Sequence, residues 1–243
     1  MLFGNHLWIL LQKKNDMKKI CLCITNYNKE IFLDRSIRSC LSQIQNELYI
    51  EIILVNDGSV NFNKNKILRE FSNIKILSYK KNRGVSYASN LSLKATNADY
   101  FMRVDADDYI SVKTCLVLSE ILNDNHDIPF VYGDILKIKK DGIISKLKRD
   151  NKKNLLSHGA GIMFRTKFLK KINGYNENLR NCEDFDLILR MQIKYGSGYY
   201  LPIAYYRYYD TNSSHLSKSA NRKEYETFLK KKYAKYLPKN FIK

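Results

Sequence analysis

Apolar residues along this chain come in short continuous runs, and polar residues collect where each run stops. KICLCIT (Lys19–Thr25), IEIILV (Ile50–Val55), IKILSY (Ile74–Tyr79) and YFMRV (Tyr100–Val104) are such runs. A strand apolar at nearly every position is one buried on both faces. Between the runs the spacing shifts to the helical period: Lys29–Asn46 through Leu33, Ile37, Cys40, Leu41 and Ile44, then Lys64–Phe71, then Ser86–Ala95. Strands alternating with helices predict an α/β fold whose parallel sheet is covered on both sides. Three runs end in polar clusters: Thr25-Asn26-Tyr27-Asn28, Asn56-Asp57-Gly58-Ser59 and Asp105-Ala106-Asp107-Asp108. Open sheets of this kind bind ligands at the carboxyl ends of their strands, so these clusters mark one candidate crevice.

The second half is less regular. Phe130–Ile138 and Ile143–Leu147 read as a hairpin across Asp141-Gly142. Gly159–Phe164 reads as a strand, followed by a helix to Ile172 and a stop at Gly174. Phe185–Tyr195 has amphipathic helical spacing, Tyr199–Tyr209 is a tyrosine-dense strand, and a basic helix follows Lys218. The whole predicts one domain over residues 17–217, in halves 17–110 and 111–217, with a basic tail at 218–243.

Composition narrows the class. The chain has 243 residues, 44% hydrophobic and 27% charged, enough to bury a core and too apolar for disorder. No run approaches the roughly 18 apolar residues of a membrane span. LWILL (Leu7–Leu11) is too short for a signal core, and Met17 before KKICLCI reads as a natural start, so residues 1–16 are expected to be an extension. Five cysteines without a CxxC pair predict a reducing cytoplasm. The formal charge of +18 is concentrated: residues 137–153 carry eight basic side chains against two acidic, and residues 218–243 carry nine against two. Such patches suit anionic partners.

Against that positive background, Asp105, Asp107 and Asp108 stand out at the end of a buried run. Each pair of unit charges 4 Å apart costs about 1 kcal/mol in water and more in a crevice. The cluster must hold a proton or a cation. Oxygen ligands of this kind suit Mg²⁺ or Mn²⁺, although an Asp in a turn also caps a helix, here one starting near Ser111.

The four clusters Thr25-Asn26-Tyr27-Asn28, Asn56-Asp57-Gly58-Ser59, Asn82-Arg83-Gly84 and Asp105-Ala106-Asp107-Asp108, followed by Asn181-Cys182-Glu183-Asp184-Phe185-Asp186-Leu187, resemble the family 2 glycosyltransferases over about Lys18 to Arg207. The resemblance implies a GT-A (Rossmann-like) three-layer α/β/α fold with a mixed, mostly parallel central sheet. It implies an inverting, metal-dependent transfer from a nucleotide sugar, a UDP-sugar by the expected match of Asp57 to a uracil N–H. The acceptor would be a glycan or lipid-linked hydroxyl, as in bacterial capsule or lipopolysaccharide assembly. Residue by residue, Thr25, Tyr27 and Asn28 would meet the nucleotide, with Asp57, Arg83 and Gly84 near base or diphosphate and Asp105 at the ribose. Asp107 with Asp105 would hold Mn²⁺ or Mg²⁺, supported by Asp108. Asp184, beside Glu183, would be the catalytic base.

Asn181 is a plausible N-cap, which would place Asp184 near the third helical position. The helix dipole there lowers a carboxyl pKa, and only burial or neighbouring acids would raise it again. The family's Tyr-Arg-x-His stretch departs here to Tyr206-Arg207-Tyr208-Tyr209, leaving His215 as a substitute metal ligand and His158 as a residue facing the acceptor. The tyrosines from Tyr199 to Tyr209 fit a sugar-stacking platform or a strand packed on both faces. The basic tail fits the inner face of the plasma membrane as a peripheral contact. Competing classes are a nucleotidyltransferase, which would want a Gly-rich phosphate loop after the first strand, a degenerate nucleotide-binding domain, and a nucleic-acid-binding protein. No nucleic-acid module signature is present, and no nucleic acid is expected.

Overall fold

The computed structural model describes residues 17–45, 47–210 and 221–238. The proposed extension 1–16 and His215 lie outside the described residues. A continuous sheet has the order β3-β2-β1-β4-β8-β6-β9-β5, with β7 hairpinned onto β6. Its strands are β1 Lys18–Asn26, β2 Leu48–Asp57, β3 Lys75–Tyr79, β4 Tyr100–Asp105, β5 Tyr109–Ile110, β6 Phe130–Lys139, β7 Ile144–Leu147, β8 Ile162–Arg165 and β9 Tyr199–Asp210. The helices are α1 Glu30–Leu41, α2 Lys64–Glu70, α3 Val85–Ala95, α4 Thr114–Asp124, α5 Lys152–Ser157, α6 Thr166–Lys171, α7 Glu183–Tyr195 and α8 Arg222–Lys232.

The continuous apolar runs are explained by burial on both faces. In β1, Ile20, Leu22 and Ile24 enter one core with Leu33, Ile37 and Cys40 of α1 and Leu118 and Leu122 of α4. Cys21 and Cys23 point the other way, into a second core with Ala88 of α3 and Leu187, Ile188 and Leu189 of α7. At about 1.5–3 kcal/mol for each large aliphatic side chain buried, the two cores fix the central strands between two helical layers. This is the three-layer α/β/α arrangement expected from the sequence.

The first four strands of the sheet order are parallel, and β8 then joins β4 antiparallel. β9 lies parallel to β6 but slips register between Gly133 and Ile135. β9 stays on β6 to its end and takes β5 on its other edge, where Arg207 pairs with Tyr109 and Tyr206 with Ile110. The carboxyl end of β9 is thereby brought beside that of β4.

Helix limits differ from the expectation at three places. α1 stops at Leu41 rather than Asn46, because the Gln43 side chain donates to the Ser39 and Ser111 carbonyls and accepts from the Cys115 amide. α4 begins at Thr114, beyond the start near Ser111. α7 begins at Glu183, with Cys182 as N-cap at φ 57, so Asp184 sits at the second helical position. Asn181 is not the cap; its side chain accepts from the Cys182 amide at 2.8 Å. α5, Lys152–Ser157, has no counterpart among the predicted elements.

Candidate active site

The parallel register sets the ends of β1, β2 and β4 side by side, pairing Thr25 with both Val55 and Asp105. The Thr25 hydroxyl donates to Asp105 Oδ1 at 3.3 Å. The loops after β1 and β2 are stitched together by side chains. Asn26 Nδ2 donates to Ser59 Oγ at 3.1 Å, the Asn28 amide donates to the same hydroxyl at 2.9 Å, and the Val60 amide donates to Asn28 Oδ1 at 3.2 Å. Asn28 makes these contacts from φ 52, a left-handed conformation that Asn tolerates well. Asn28 therefore shapes the loop, and Tyr27 stands at its lip, 48% exposed.

Asp57 is buried and reaches across to the loop after β3. Its carboxylate accepts from Asn82 Nδ2 at 2.9 Å, the Arg83 amide at 2.6 Å and the Gly84 amide at 2.9 Å. Gly84 N-caps α3 at φ 91, a conformation open to glycine, with Arg180 closing over it. The Arg83 guanidinium is laid over the Tyr87 ring at 3.4 Å. The Tyr79 hydroxyl also faces this carboxylate, so Asp57 is spent on holding the loop after β3 in place.

The three acids at the end of β4 are held in three different ways. Asp105 Oδ1 lies 3.2 Å from Arg103 Nε. Asp107 Oδ2 lies 3.1 Å from Lys29 Nζ, and its carbonyl accepts from Arg35 at 2.7 Å. Asp108 is almost fully buried, and it accepts from the Tyr206 hydroxyl at 2.7 Å and from the Tyr209 amide at 2.8 Å. Burial, with Asp105 and Asp107 nearby, pushes the Asp108 carboxyl well above the usual range. Its oxygens face Tyr206 and Tyr209, which makes Asp108 a buttress of the turn instead of a supporting metal ligand.

Among the described residues no group of three or more His, Cys, Asp or Glu side chains is placed to hold a metal ion. Asp105 and Asp107 nonetheless present hard carboxylate oxygens on one turn, with the Lys29 ammonium already drawn to Asp107. Two carboxylates of this kind fit a Mg²⁺- or Mn²⁺-sized ion that takes its other ligands from phosphate oxygens and water.

Across the crevice, the head of α7 presents Glu183 and Asp184. Arg103 on β4 donates from its two terminal nitrogens to Glu183 Oε1 at 3.1 Å and to Asp184 Oδ2 at 3.0 Å. Asp184 also lies flat against Gly159: a Cβ there would fall 2.0 Å from the Asp184 Cγ. Burial pushes the Asp184 carboxyl up, Arg103 opposes it, and Glu183 and Asp105 add to the rise, for a value of about 7. Desolvation thus outweighs Arg103, and a carboxyl at about 7 suits a general base near neutral pH.

The remaining expectations divide. His158 makes an edge contact with the Tyr208 ring at 5.2 Å. Burial, with Lys137, Arg149 and Arg222 around it, lowers its pKa to about 4, so it is neutral at pH 7. The tyrosines of β9 form no single platform. Tyr200 donates to Asp134, Tyr206 to Asp108, and Tyr209 joins Phe32 and Tyr109 around the Arg35 guanidinium. Arg149, counted in a basic surface run, is fully buried and holds the His158 and Ala160 carbonyls at 2.9 and 2.7 Å. It fixes the loop that carries Gly159. Of the residues that build the site, sequence reasoning missed Arg103, Lys29, Gly159 and Arg149. A lone charge inside an apolar strand was the available signal for Arg103.

Comparison with known proteins identifies the family and the fold. A family model described as Glycosyl transferase family 2 matches residues 21–191. A teichoic acid poly(glycerol phosphate) polymerase of Staphylococcus epidermidis is 25% identical over 194 residues, covering 71% of this chain and 26% of its own. A hyaluronan synthase of Pasteurella multocida is 26% identical over 190 residues, covering 73% and 19%. An uncharacterised glycosyltransferase of Rickettsia conorii is 28% identical over 184 residues, covering 69% and 30%. The chain therefore spans less than a third of the length of these relatives. Crystal structures of S. aureus TarS share the fold. The complex with UDP-GlcNAc has a TM-score of 0.74 at 18% identity, covering 87% of this chain and 65% of that one; the complex with UDP has 0.67 at 19%, covering 79% and 60%. The chain belongs to glycosyl transferase family 2 and has the GT-A fold of the TarS structures.

Proposed function

We propose that the chain transfers a sugar from a UDP-sugar to a hydroxyl of a glycan or lipid-linked acceptor, with inversion, in the assembly of a surface polysaccharide. The observation that carries this reading is the half-buried Asp184 carboxyl, with a pKa of about 7, joined through Arg103 to Asp105 at the end of β4. UDP and UDP-GlcNAc in the TarS structures support a nucleotide-sugar donor. Asp57 organises the loop that carries Arg83 and Gly84 toward the donor, and Tyr27 at the lip suits stacking on the base.

In the step itself, the acceptor hydroxyl gives its proton to Asp184 while its oxygen bonds to the anomeric carbon. The bond from that carbon to the diphosphate oxygen breaks, and UDP leaves from the opposite face. Asp107, with Asp105, would hold Mn²⁺ or Mg²⁺, whose charge would offset that of the diphosphate. Lys29, now 3.1 Å from Asp107, would have to give up that contact for such an ion to be held. Calorimetric titration of UDP with and without Mn²⁺ tests the donor site. Metal-dependent binding, weakened at least about tenfold in Asp107→Ala, is expected; equal binding in both proteins would remove Asp107 from the site.

Peripheral contact with an anionic membrane is the second part of the proposal. Lys152 Nζ donates to the Tyr236 carbonyl at 2.7 Å, which joins the two basic segments of the sequence into one face. Phe228 and Tyr236 are exposed there beside Lys223, Lys231 and Lys235, a combination suited to anionic headgroups. Among the described residues no helix is long and apolar enough to cross a membrane. Liposomes containing phosphatidylglycerol should pellet the chain at low salt and release it at high salt; pelleting that ignores lipid charge would count against this contact.

A further inference from the structure

We propose that Arg103 is a positioning residue for sugar transfer, one that aims the Asp184 carboxylate and ties it to the donor-side Asp105. The proposal rests on the reading of Asp184 as the base.

Arg103 stands inside β4, 6% exposed, where an unpaired charge would be costly. Its guanidinium spends its donors on three acids from two distant parts of the chain. Nε faces Asp105 Oδ1 at 3.2 Å, and the two terminal nitrogens face Glu183 Oε1 at 3.1 Å and Asp184 Oδ2 at 3.0 Å. The Tyr175 ring packs against the guanidinium at 5.5 Å. Among the described residues Arg103 is the one hydrogen-bond partner of the Asp184 carboxyl. Holding Oδ2 leaves Oδ1 to receive a proton.

Rigidity is the further consequence. Asp184 is pressed on one side by Gly159 and held on the other by Arg103, so its carboxylate has little rotational freedom. A planar fork can serve three carboxylates in fixed directions, which a lysine ammonium on a flexible stem cannot. If Arg103 served only to neutralise buried acids, any cation at its place would do.

The test uses the full chain with Arg103→Gln and Arg103→Lys. The expected result is a kcat lowered about 100-fold by Gln and about tenfold by Lys, with the KM for the UDP-sugar and the Kd for UDP within about threefold of wild type. The Lys variant keeps the charge and carries the test should the Gln variant not fold. A folded Lys variant with unchanged kcat would overturn the proposal. So would a kcat loss matched by an equal loss of UDP affinity, since that would mark a donor-binding role. An Asp184→Asn variant with full turnover, or a wild-type chain that turns over no UDP-sugar, strikes instead at the reading of the base. The crystal structure of Arg103→Lys then decides positioning alone: an Asp184 carboxyl swung away from Gly159 supports it, and an unmoved one overturns it.

Discussion

Asp184→Asn should lower kcat by about a thousandfold while leaving UDP binding intact. The amide keeps the shape of the carboxyl and its contact with Arg103 through the remaining oxygen, so the fold and donor site are undisturbed. What it loses is the ability to accept a proton. The same assignment predicts the pH profile. With a pKa of about 7, Asp184 is protonated and idle in acid, so kcat should rise tenfold per pH unit below pH 7 and level off above it. The stability linkage runs the other way. The native state holds this proton more tightly than the unfolded chain, so the group favours folding most at low pH, and that contribution is lost as pH rises through 7. A kcat independent of pH between 5 and 8 would sink the assignment.

Gly159→Ala should be nearly as damaging, at about a hundredfold in kcat. The added Cβ would fall 2.0 Å from Cγ and 2.4 Å from Oδ2 of Asp184. Neither side can yield easily: Arg149 grips the carbonyls flanking position 159, and Arg103 holds the carboxylate. The base must therefore leave its place. The backbone at 159 is not in the left-handed region, so alanine itself is tolerated. The cost to stability should be about 1 kcal/mol, roughly 3 °C in Tm for a chain of this size. Kinetics and a thermal melt on one preparation check both parts; a variant with wild-type kcat would show that the contact is not catalytic.

The parallel half of the fold was legible because burial on both faces of its central strands leaves a plain mark, a strand apolar at nearly every position. The strand-end clusters were legible for the same reason, since polar residues abruptly end each run. The second half was not. β5 is only two residues long, and β9 takes it on its other edge, a pairing that no local pattern announces. Arg103 was visible as an anomaly, but its partners lie 80 residues away on a helix whose first turn was misplaced. The cap at Cys182 adopts a left-handed conformation that Asn181 would have been the more natural residue to take. Arg149 was hidden among lysines, because a basic run does not reveal which member turns inward. The missing family His also has a physical counterpart: Tyr209 faces Arg35, and its amide holds the buried Asp108.

The chain's last described helix has a practical bearing on how its basic tail can be studied. Asp186, two residues beyond the proposed base and fully buried, accepts from Arg190 at 2.6 Å, from Tyr233 at 2.7 Å and from Lys232 at 3.0 Å. Two of those three belong to the tail. Cutting the chain before α8 to remove lipid contact would strip the helix that carries the proposed base of its fastening and leave the buried Asp186 carboxylate with Arg190 alone of these three partners. Such a truncation would read as a loss of both membrane binding and turnover, and would suggest a lipid-activated enzyme where none need exist. Charge reversal at the outward Lys223, Lys231 and Lys235 separates the two effects, because none of them touches Asp186.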